Sequence, residues 1–262
     1  MDKTTIGDRM KNNYENISRY YLTRRMPVII RIDGKAFHTF TKGLEKPFDD
    51  IFVKTMQDTM KYLCENIQGC VLGYTQSDEI SLVLVDYAEL NTDAWFGNNL
   101  QKMCSVSASM ATMAFNKYFI ENVNQYISDI MEYEDFNPDD DYIINLDKKS
   151  YSAMFDSRVF NIPREEVCNY FIWRQQDATR NSIQSVGQTN FSQKELNGKS
   201  CNDIQDMLMT QKGINWNDYP ITLKRGSCCI KSILEGSSTP KWVVDNFIPI
   251  FTQDRNYIEN LI

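Results

Sequence analysis

The spacing of hydrophobic side chains in the first part of the chain predicts alternating helices and strands. Between Met10 and Tyr21, apolar side chains recur every three or four residues, which predicts a helix over residues 8–25. The β-branched run VIIRI at residues 28–32 comes next and predicts a buried strand. A second helix is predicted from Pro47, because proline is favoured in a first helical turn and an apolar stripe follows it.

Two further strands and a long helix follow. Apolar runs at residues 70–74 and 79–85 flank the polar sequence TQSD, which predicts a hairpin with a polar turn. Methionine and valine at helical spacing predict a helix over residues 99–120 whose apolar stripe packs in the core. The order strand, helix, strand, strand, helix begins a ferredoxin-like split β-α-β arrangement. We therefore expect an antiparallel sheet packed against helices on one face.

The second half of the chain carries fewer apolar patterns. Residues 151–161 predict one more strand, and Pro163 opens a helix that runs to about residue 183. A short apolar stretch lies at residues 227–234, and the acidic segment 132–147 predicts a solvated loop rather than a metal site. The predicted fold class is α+β, an α/β sandwich of an antiparallel sheet with packed helices and additional C-terminal helices.

Composition limits the class of protein. The chain has 262 residues, 42% of them hydrophobic, which is enough for the core of one large domain. Because it has no apolar run near the ~20 residues of a membrane span and no secretory signal, we expect no membrane partner and a cytoplasmic location. Seven cysteines without a C-x-x-C pair, and a single histidine, favour reduced thiols over disulfides or a zinc site. The net charge of −7 weakens the case for a nucleic-acid partner without excluding it.

Three acidic residues occupy the ends of predicted strands. Asp33 ends the strand at residues 28–32, while Asp78 and Glu79 lie in the hairpin turn. In a split β-α-β fold these strands are neighbours, so the acids would converge at one end of the sheet. Paired carboxylates suit Mg²⁺, which takes oxygen ligands and few protein carboxylates, and two such ions can serve phosphoryl chemistry. The alternative is that both aspartates cap backbone amides in turns, and the sequence leaves both interpretations open.

The loop after the first strand has the sequence GKAFH, at residues 34–38. Gly34 would let the backbone approach a phosphate closely, and successive amides in a tight loop form an anion-binding nest. The spacing matches neither the P-loop nor the dinucleotide fingerprint. His38 is either a phosphate donor or a buried histidine with its hydrogen bonds satisfied.

Four blocks of sequence extend this picture. They are RIDGKAFH at residues 31–38, GYTQSDE at 73–79, FDSRV at 155–159 and YFIWRQ at 170–175. Together they resemble the tRNA(His) guanylyltransferase family, whose members add nucleotides to RNA 5′ ends in the 3′-to-5′ direction. The resemblance spans nearly the whole chain and implies a fold like the palm of polymerases and nucleotidyl cyclases. It also implies tRNA and nucleoside triphosphates as partners, with ATP and GTP among the substrates, and a homotetramer built as a dimer of dimers.

The resemblance assigns roles to individual residues. Asp33, the carbonyl of Gly34 and Asp78 would hold two Mg²⁺, and Glu79 would complete the catalytic set. The nucleotide-binding residues that it implies are Asp33, Gly34, Lys35, Ala36, Phe37, His38, Ser77, Asp78 and Lys102. We place the palm-like catalytic core in residues 1–135, and the rest of the core sheet with a helical RNA-contacting region in residues 136–262, as one continuous domain.

Basic side chains are the candidate RNA contacts, since affinity for phosphate comes largely from lysine and arginine. They are Arg24, Arg25, Lys42, Lys46, Arg158, Arg174, Arg180, Lys224 and Arg225. Arg174, Asp177 and Arg180 share one helix face, so an intrahelical ion-pair ladder is the alternative for this group. The segment from Lys224 to Ser227 is either another anion loop or a solvated turn.

One block departs from the pattern of the guanylyltransferases proper. They carry HINNLYN after the WRQ block, a stretch tied to the choice of tRNA(His), whereas residues 179–185 here are TRNSIQS. This resembles the family's other branch, the 3′–5′ RNA polymerases that repair 5′-truncated tRNAs against the opposite strand. We therefore expect ATP-dependent 5′-adenylylation of the RNA, followed by attack of the 3′-OH of an incoming nucleoside triphosphate.

Three other functions are the alternatives. The first is a tRNA(His)-specific guanylyltransferase that adds G at position −1. The second is a nucleotidyl cyclase on the same fold, although the turn QSDEI lacks the glycine pair of diguanylate cyclases. The third is a non-catalytic RNA- or nucleotide-binding protein, because a fold does not guarantee an activity.

Overall fold

A six-stranded antiparallel sheet forms the centre of the computed structural model, which describes residues 4–132, 141–233 and 238–262. The strands are β1 (Val28–Gly34), β2 (Cys70–Gln76), β3 (Glu79–Leu84), β4 (Phe155–Asn161), β5 (Ser227–Ser232) and β6 (Lys241–Asp245). Their order across the sheet is β4-β1-β3-β2-β5-β6. The first four form the ferredoxin-like arrangement, and the β5-β6 hairpin extends it beyond β2. The predicted α+β class with an antiparallel sheet is confirmed.

Helices connect these strands and cover the sheet. They are α1 (Ile6–Met10), α2 (Phe37–Phe40), α3 (Asp50–Asn66), α4 (Leu100–Glu132), α5 (Asp141–Lys149), α6 (Arg164–Asn190), α7 (Gln193–Leu196), α8 (Cys201–Met207), α9 (Ile221–Arg225) and α10 (Asn256–Glu259). In the split β-α-β core, α3 joins β1 to β2, and α4 lies between β3 and β4 in the chain. Within the three described ranges, no helix has the length and apolar character to cross a membrane.

Helices cover both faces of the sheet, so the expectation of helices on one face is wrong. Ile30 and Ile32 of β1 are buried in the cluster that α3 and α4 form with the sheet. Ile29 is buried on the other face, with Val167 and Phe171 of α6. Because successive residues of a strand alternate between faces, the consecutive apolar residues 28–30 of β1 reflect burial on both sides.

Some element boundaries differ from the predictions. The helices α4 and α6 extend beyond their predicted ends, and the β2-β3 turn contains only Ser77 and Asp78. Part of the acidic segment, residues 133–140, lies outside the described residues. The part that is described, Asp141–Lys149, is helical rather than a loop, because Leu146 is buried in the core. The end of the apolar stretch at 227–234 also falls outside the described residues.

The N-terminal helix is shorter than predicted, and its apolar stripe is exposed. Helical turns continue α1 through Lys11–Glu15 and Asn16–Ser18 and end there rather than at residue 25. Tyr14 and Ile17 are 67% and 71% exposed. The helical periodicity is therefore present, but it does not bury this stripe in the described core of the chain.

Candidate active site

Two aspartates meet at one end of the sheet, beside the loop that follows β1. Asp33 lies at the end of β1, directly opposite Glu79 of β3, and Asp78 occupies the adjoining turn. The amide of Gly34 donates a hydrogen bond of 3.0 Å to the carbonyl oxygen of Asp78, which fixes the loop against the turn. Both aspartates line a cleft of about 410 Å³, with Ala36 among the other lining residues. The predicted convergence of these carboxylates is therefore what the structure shows.

The charge environment of this pair favours a cation. Burial raises the pKa of Asp78, and the nearby negative charge of Asp33 raises it further. Among the described residues, no basic side chain forms an ion pair with Asp78, whose carboxylate accepts a hydrogen bond from the Ser77 hydroxyl at 3.1 Å. Arg158 approaches Asp33 only to 3.7 Å and is 55% exposed. Two adjacent carboxylates with so little positive charge close by would be stabilised by a bound cation.

The donor set fits Mg²⁺ and does not fit a metal that needs a closed cage of side chains. Within the described ranges, no group of three or more histidine, cysteine, aspartate or glutamate side chains is placed to hold a metal. Mg²⁺ commonly takes one or two protein carboxylates and completes its shell with water and substrate phosphates. Asp33 and Asp78, with a nearby backbone carbonyl, match that requirement.

Glu79 is adjacent to Asp78 in the chain, but ion pairs occupy its carboxylate. It accepts hydrogen bonds from Arg174 at 2.7 and 2.9 Å and from Nε of Arg31 at 2.8 Å. These contacts tie β3 to β1 and α6 directly beside the turn. We therefore assign Glu79 a positioning role at the site.

Arg174 is not an exposed RNA contact, contrary to the prediction. Its side chain is only 4% exposed, and its guanidinium is also bound to Asp177 at 3.0 Å. Arg180, in contrast, is exposed and pairs with the same aspartate. The alternative interpretation of this helix face, an ion-pair ladder, describes the observed contacts.

The loop after β1 presents backbone donors to the cleft. Ala36 adopts a left-handed conformation with φ of 56°, after which α2 begins. Phe37 is buried among aromatic side chains, including Phe155, whose ring centroid lies 4.9 Å away. The amides of residues 36–38 have no hydrogen-bond partner among the described residues, whereas Lys35 N–H donates to the carbonyl of Met154. His38 is exposed and lines the cleft, so it is not a buried core histidine.

Lys102 lies too far along α4 to reach this cleft. Thr112 of the same helix accepts a hydrogen bond of 3.1 Å from the amide of Phe155, which pairs with Gly34, and so Thr112 is level with the site. Ten helical residues separate Lys102 from Thr112, a rise of about 15 Å. The ammonium group of Lys102 instead lies 5.5 Å from the ring centroid of Phe96. The predicted phosphate contact from Lys102 is therefore wrong within this chain.

Six of the other predicted RNA contacts form three groups, and the remaining two, Lys42 and Lys46, are exposed in the segment between α2 and α3. Arg24 pairs with Asp86 at 2.6 Å, and Arg25 lies beside it, beyond the end of β3 opposite to Asp78. Lys224 is buried and donates to a backbone carbonyl, so it does not face solvent, while Arg225 of α9 is partly exposed. Arg158 and Arg180 are exposed on the α6 side of the sheet, near the aspartates.

A second cavity adjoins the cleft, and the sequence analysis missed it. Its volume is about 220 Å³, and it shares Thr41, Phe52 and Ser77 with the cleft. The start of α3 and the middle of α6 form opposite walls, which include Asn181 and Ser182. The sequence signal that pointed here was the departure at residues 179–185, because three of those residues line the cavity.

Proteins similar to this chain are tRNA(His) guanylyltransferases, which are nucleotidyltransferases. The family model described as tRNAHis guanylyltransferase, Thg1, matches residues 7–163. The chain therefore belongs to the tRNA(His) guanylyltransferase family.

Individual relatives agree with this assignment over most of their length. A bacterial tRNA(His) guanylyltransferase (Thg1)-like protein in complex with ATP is 47% identical, with a TM-score of 0.83 over 98% of this chain and 99% of its own. A structure of such a bacterial protein in complex with GTP is 44% identical, with a TM-score of 0.78 over 98% and 99% of the chains. The tRNA(His) guanylyltransferase of Saccharomyces cerevisiae is 28% identical over 214 residues, which are 76% of this chain and 80% of the yeast protein.

Proposed function

We propose that this enzyme adds nucleotides in the 3′-to-5′ direction to the 5′ end of truncated tRNA, using the opposite strand as template. The carboxylates of Asp33 and Asp78, beside a loop whose amides at residues 36–38 have no partner in the described part of the chain, are the observation that carries the proposal. Such a site can bind a metal–triphosphate complex next to an RNA end. The structures of bacterial Thg1-like proteins in complex with ATP and GTP support nucleoside triphosphates as substrates.

Asp33, the carbonyl of Gly34 and Asp78 would hold two Mg²⁺. When bound, the ions would neutralise phosphate charge and lower the pKa of the attacking hydroxyl. The amides of residues 36–38 would bind triphosphate oxygens, with Lys35 and His38 as exposed donors beside them. The second cavity would take the nucleobase of that triphosphate, because it opens from the same cleft at Thr41 and Ser77.

The reaction proceeds in two displacements at phosphorus. The RNA 5′-monophosphate first attacks the α-phosphate of ATP, which releases pyrophosphate and leaves a 5′-adenylylated RNA. The 3′-OH of the incoming nucleoside triphosphate then attacks the 5′ phosphate of the RNA and expels AMP. On an RNA that carries a 5′-triphosphate, the same attack expels pyrophosphate. The protein contributes positioning and charge rather than a covalent nucleophile.

The choice of template-dependent repair over tRNA(His)-specific addition of G rests on residues 179–185. Asn181, Ser182 and Ser185 from this block line the second cavity. The stretch that guanylyltransferases proper use for tRNA(His) thus contributes, in this chain, to a cavity beside the catalytic cleft. This supports a role in nucleotide binding rather than in selecting one tRNA.

The seven cysteines are all free thiols, which supports a reducing compartment such as the cytoplasm.

Capture of the intermediate tests the two displacements. RNA with a 5′-monophosphate, incubated with Mg²⁺ and ATP labelled in the α-phosphate, is expected to acquire the label. Addition of an unlabelled nucleoside triphosphate should then release labelled AMP as the RNA lengthens by one nucleotide. An RNA with a 5′-hydroxyl is the control and should take up no label. Binding of RNA and ATP without any transfer would favour the non-catalytic alternative.

We further propose that the enzyme is a homotetramer and that the exposed stripe of the N-terminal helix packs against another copy. Ile6, Met10, Tyr14 and Ile17 share one side of the helical turns and are between 43% and 73% exposed. Replacing Tyr14 and Ile17 together with glutamate is expected to convert the tetramer to a smaller species, because buried contacts would then carry unpaired charge. Light scattering coupled to gel filtration gives the mass.

The matched control for the tetramer is Leu90→Glu, which changes a side chain that is 87% exposed elsewhere on the surface. It should leave the mass at four chains. A wild-type protein that elutes as a monomer at micromolar concentration would contradict the proposal.

A further inference from the structure

An exposed tryptophan lies on the α6 side of the sheet, beside the two aspartates. Trp173 is 51% exposed, although it belongs to a helix that is otherwise anchored in the core. The guanidinium carbons of Arg174 and Arg31 lie 4.4 and 5.7 Å from its ring centroid, and the ring of Tyr170 lies at 5.8 Å. These contacts hold the indole in one orientation while half of its surface stays open to solvent.

The register of the sheet places this ring close to the catalytic carboxylates. Arg31 and Asp33 are two residues apart on β1 and so face the same side of the sheet. The distance between their backbones is about 7 Å. Trp173 packs on the side chain of Arg31, so its ring lies on the same face of the sheet as Asp33, two residues of β1 away.

Arg158 lies next to Asp33 on the same face of the sheet as Arg31. Its backbone lies opposite that of Arg31 in the antiparallel pair of β1 and β4. Its guanidinium is 3.7 Å from the carboxylate of Asp33 and 3.6 Å from that of Asp156. Both distances exceed those of good hydrogen bonds, so the side chain can turn towards another anion at small cost. Arg31, by contrast, is held by Glu79 at 2.8 Å.

We propose that Trp173 is the stacking platform for the base at the 5′ end of the RNA, and that Arg158 binds the 5′ phosphate of that nucleotide. This inference rests on the proposed function, because it places the RNA end that receives the new nucleotide. Aromatic side chains stack on any base, which suits an enzyme that acts on different 5′ nucleotides. The phosphate of the stacked nucleotide would then lie between Arg158 and the aspartates, where the attack takes place.

Arg180 extends this surface along the helix. It lies six residues after Arg174, about 9 Å further along the axis, and is 60% exposed. Asp177 holds its guanidinium, so the group is oriented before RNA arrives. A duplex whose terminal base rests on Trp173 would bring its next phosphates along this helix face.

A fluorescent base at the RNA end tests the platform without catalysis. A tRNA acceptor hairpin with a 5′ phosphate and 2-aminopurine as its first base is titrated with protein in the absence of triphosphates. Stacking on the indole should quench the fluorescence. Trp173→Leu is expected to lose most of the quenching and to weaken RNA binding about tenfold, whereas Trp173→Phe should retain most of both. Trp242→Leu, on the distant strand β6, is the matched control and should behave like the wild type.

Steady-state kinetics separate the platform from a structural role. Trp173→Leu should raise KM for RNA about tenfold while KM for the nucleoside triphosphate stays unchanged. Arg158→Gln should weaken binding of the 5′-phosphorylated hairpin and have little effect on the 5′-hydroxyl form. Equal quenching and equal KM for RNA in Trp173→Leu and the wild type would overturn the inference.

Failure of the proposed function gives a different result. A wild-type protein that quenches the probe through Trp173 but never extends RNA would contradict the polymerase assignment and support the stacking role of Trp173. A wild-type protein that extends RNA without any Trp173-dependent quenching would contradict the stacking role of Trp173 and support the polymerase assignment. Circular dichroism of each variant confirms that it is folded before either result is interpreted.

Discussion

Replacing Asp78 with asparagine is expected to reduce nucleotide addition by at least about 100-fold, with adenylylation and transfer lost together. Both displacements use the same pair of carboxylates, so removing the charge of one carboxylate should slow both steps. The substitution should leave the fold intact, because the hydrogen bonds that the Asp78 carboxylate accepts come from within its own turn, from the Ser77 hydroxyl and the backbone of Asp78. Relief of the repulsion with Asp33 even removes an unfavourable interaction from the folded state.

Asp156→Asn is the matched control for this experiment. Asp156 lies on β4, where its backbone is opposite that of Asp33 on β1. Its side chain is 56% exposed, and it is not among the residues that line the cleft. This variant should keep adenylylation and transfer within a fewfold of the wild type. An Asp78→Asn enzyme that adenylylates RNA at the normal rate would show that the carboxylate pair is not the catalytic centre.

Replacing Arg174 with methionine is expected to lower the free energy of unfolding by about 3–5 kcal/mol. The guanidinium makes two hydrogen bonds to Glu79 in a buried position, and its removal leaves that carboxylate with one ion-pair partner among the described residues, Arg31, and a long hydrogen bond from the Ser81 hydroxyl. Breaking a buried pair from one side is costly because the remaining charge loses its partner but stays out of water. Urea unfolding followed by tryptophan fluorescence gives the change.

Arg31→Met is the comparison that isolates burial. Arg31 shares Glu79 through one hydrogen bond, but its side chain is 22% exposed, against 4% for Arg174. Its loss should therefore cost less than the loss of Arg174. The double variant with Glu79→Gln and Arg174→Met should be more stable than the two separate changes predict by addition. Equal and small effects of Arg174→Met and Arg31→Met would contradict the anchoring role of this cluster.

The sequence allowed β1 to β4, and the position of β1 beside the β2-β3 hairpin, to be predicted because local patterns determine them, whereas β5 and β6 were not predicted as strands. The β-branched run of β1 and the hairpin of β2 and β3 specify neighbours, and the split β-α-β connection then brings Asp33 and Asp78 to one end of the sheet. The coverage of both faces was missed because α6 follows β4 with no pattern that shows which face it packs on. Its anchoring contact, Arg174 with Glu79, joins residues 95 positions apart.

The errors at the site arose because local sequence patterns do not show burial or contacts between distant segments. Charge and helical spacing indicate which residues lie on one face, but not whether that face is buried, and so Arg174 was predicted to be exposed. Lys102 was assigned by resemblance, whereas the hydrogen bond between Thr112 and Phe155 fixes the distance of that part of α4 from the cleft. The second cavity joins the start of α3 to the middle of α6, two segments more than 100 residues apart, and no local pattern indicates their contact.

The measurement that tests the central claim most directly is a comparison of two tRNA substrates. The protein is incubated with Mg²⁺, the four nucleoside triphosphates and either a non-histidine tRNA that lacks its first nucleotide or a full-length tRNA(His). We expect extension of the truncated tRNA by the nucleotide complementary to the opposing base, with the added base changing when the opposing base is changed. Preferential addition of G to tRNA(His), whatever base lies opposite, would contradict template-dependent repair and make the enzyme a tRNA(His) guanylyltransferase.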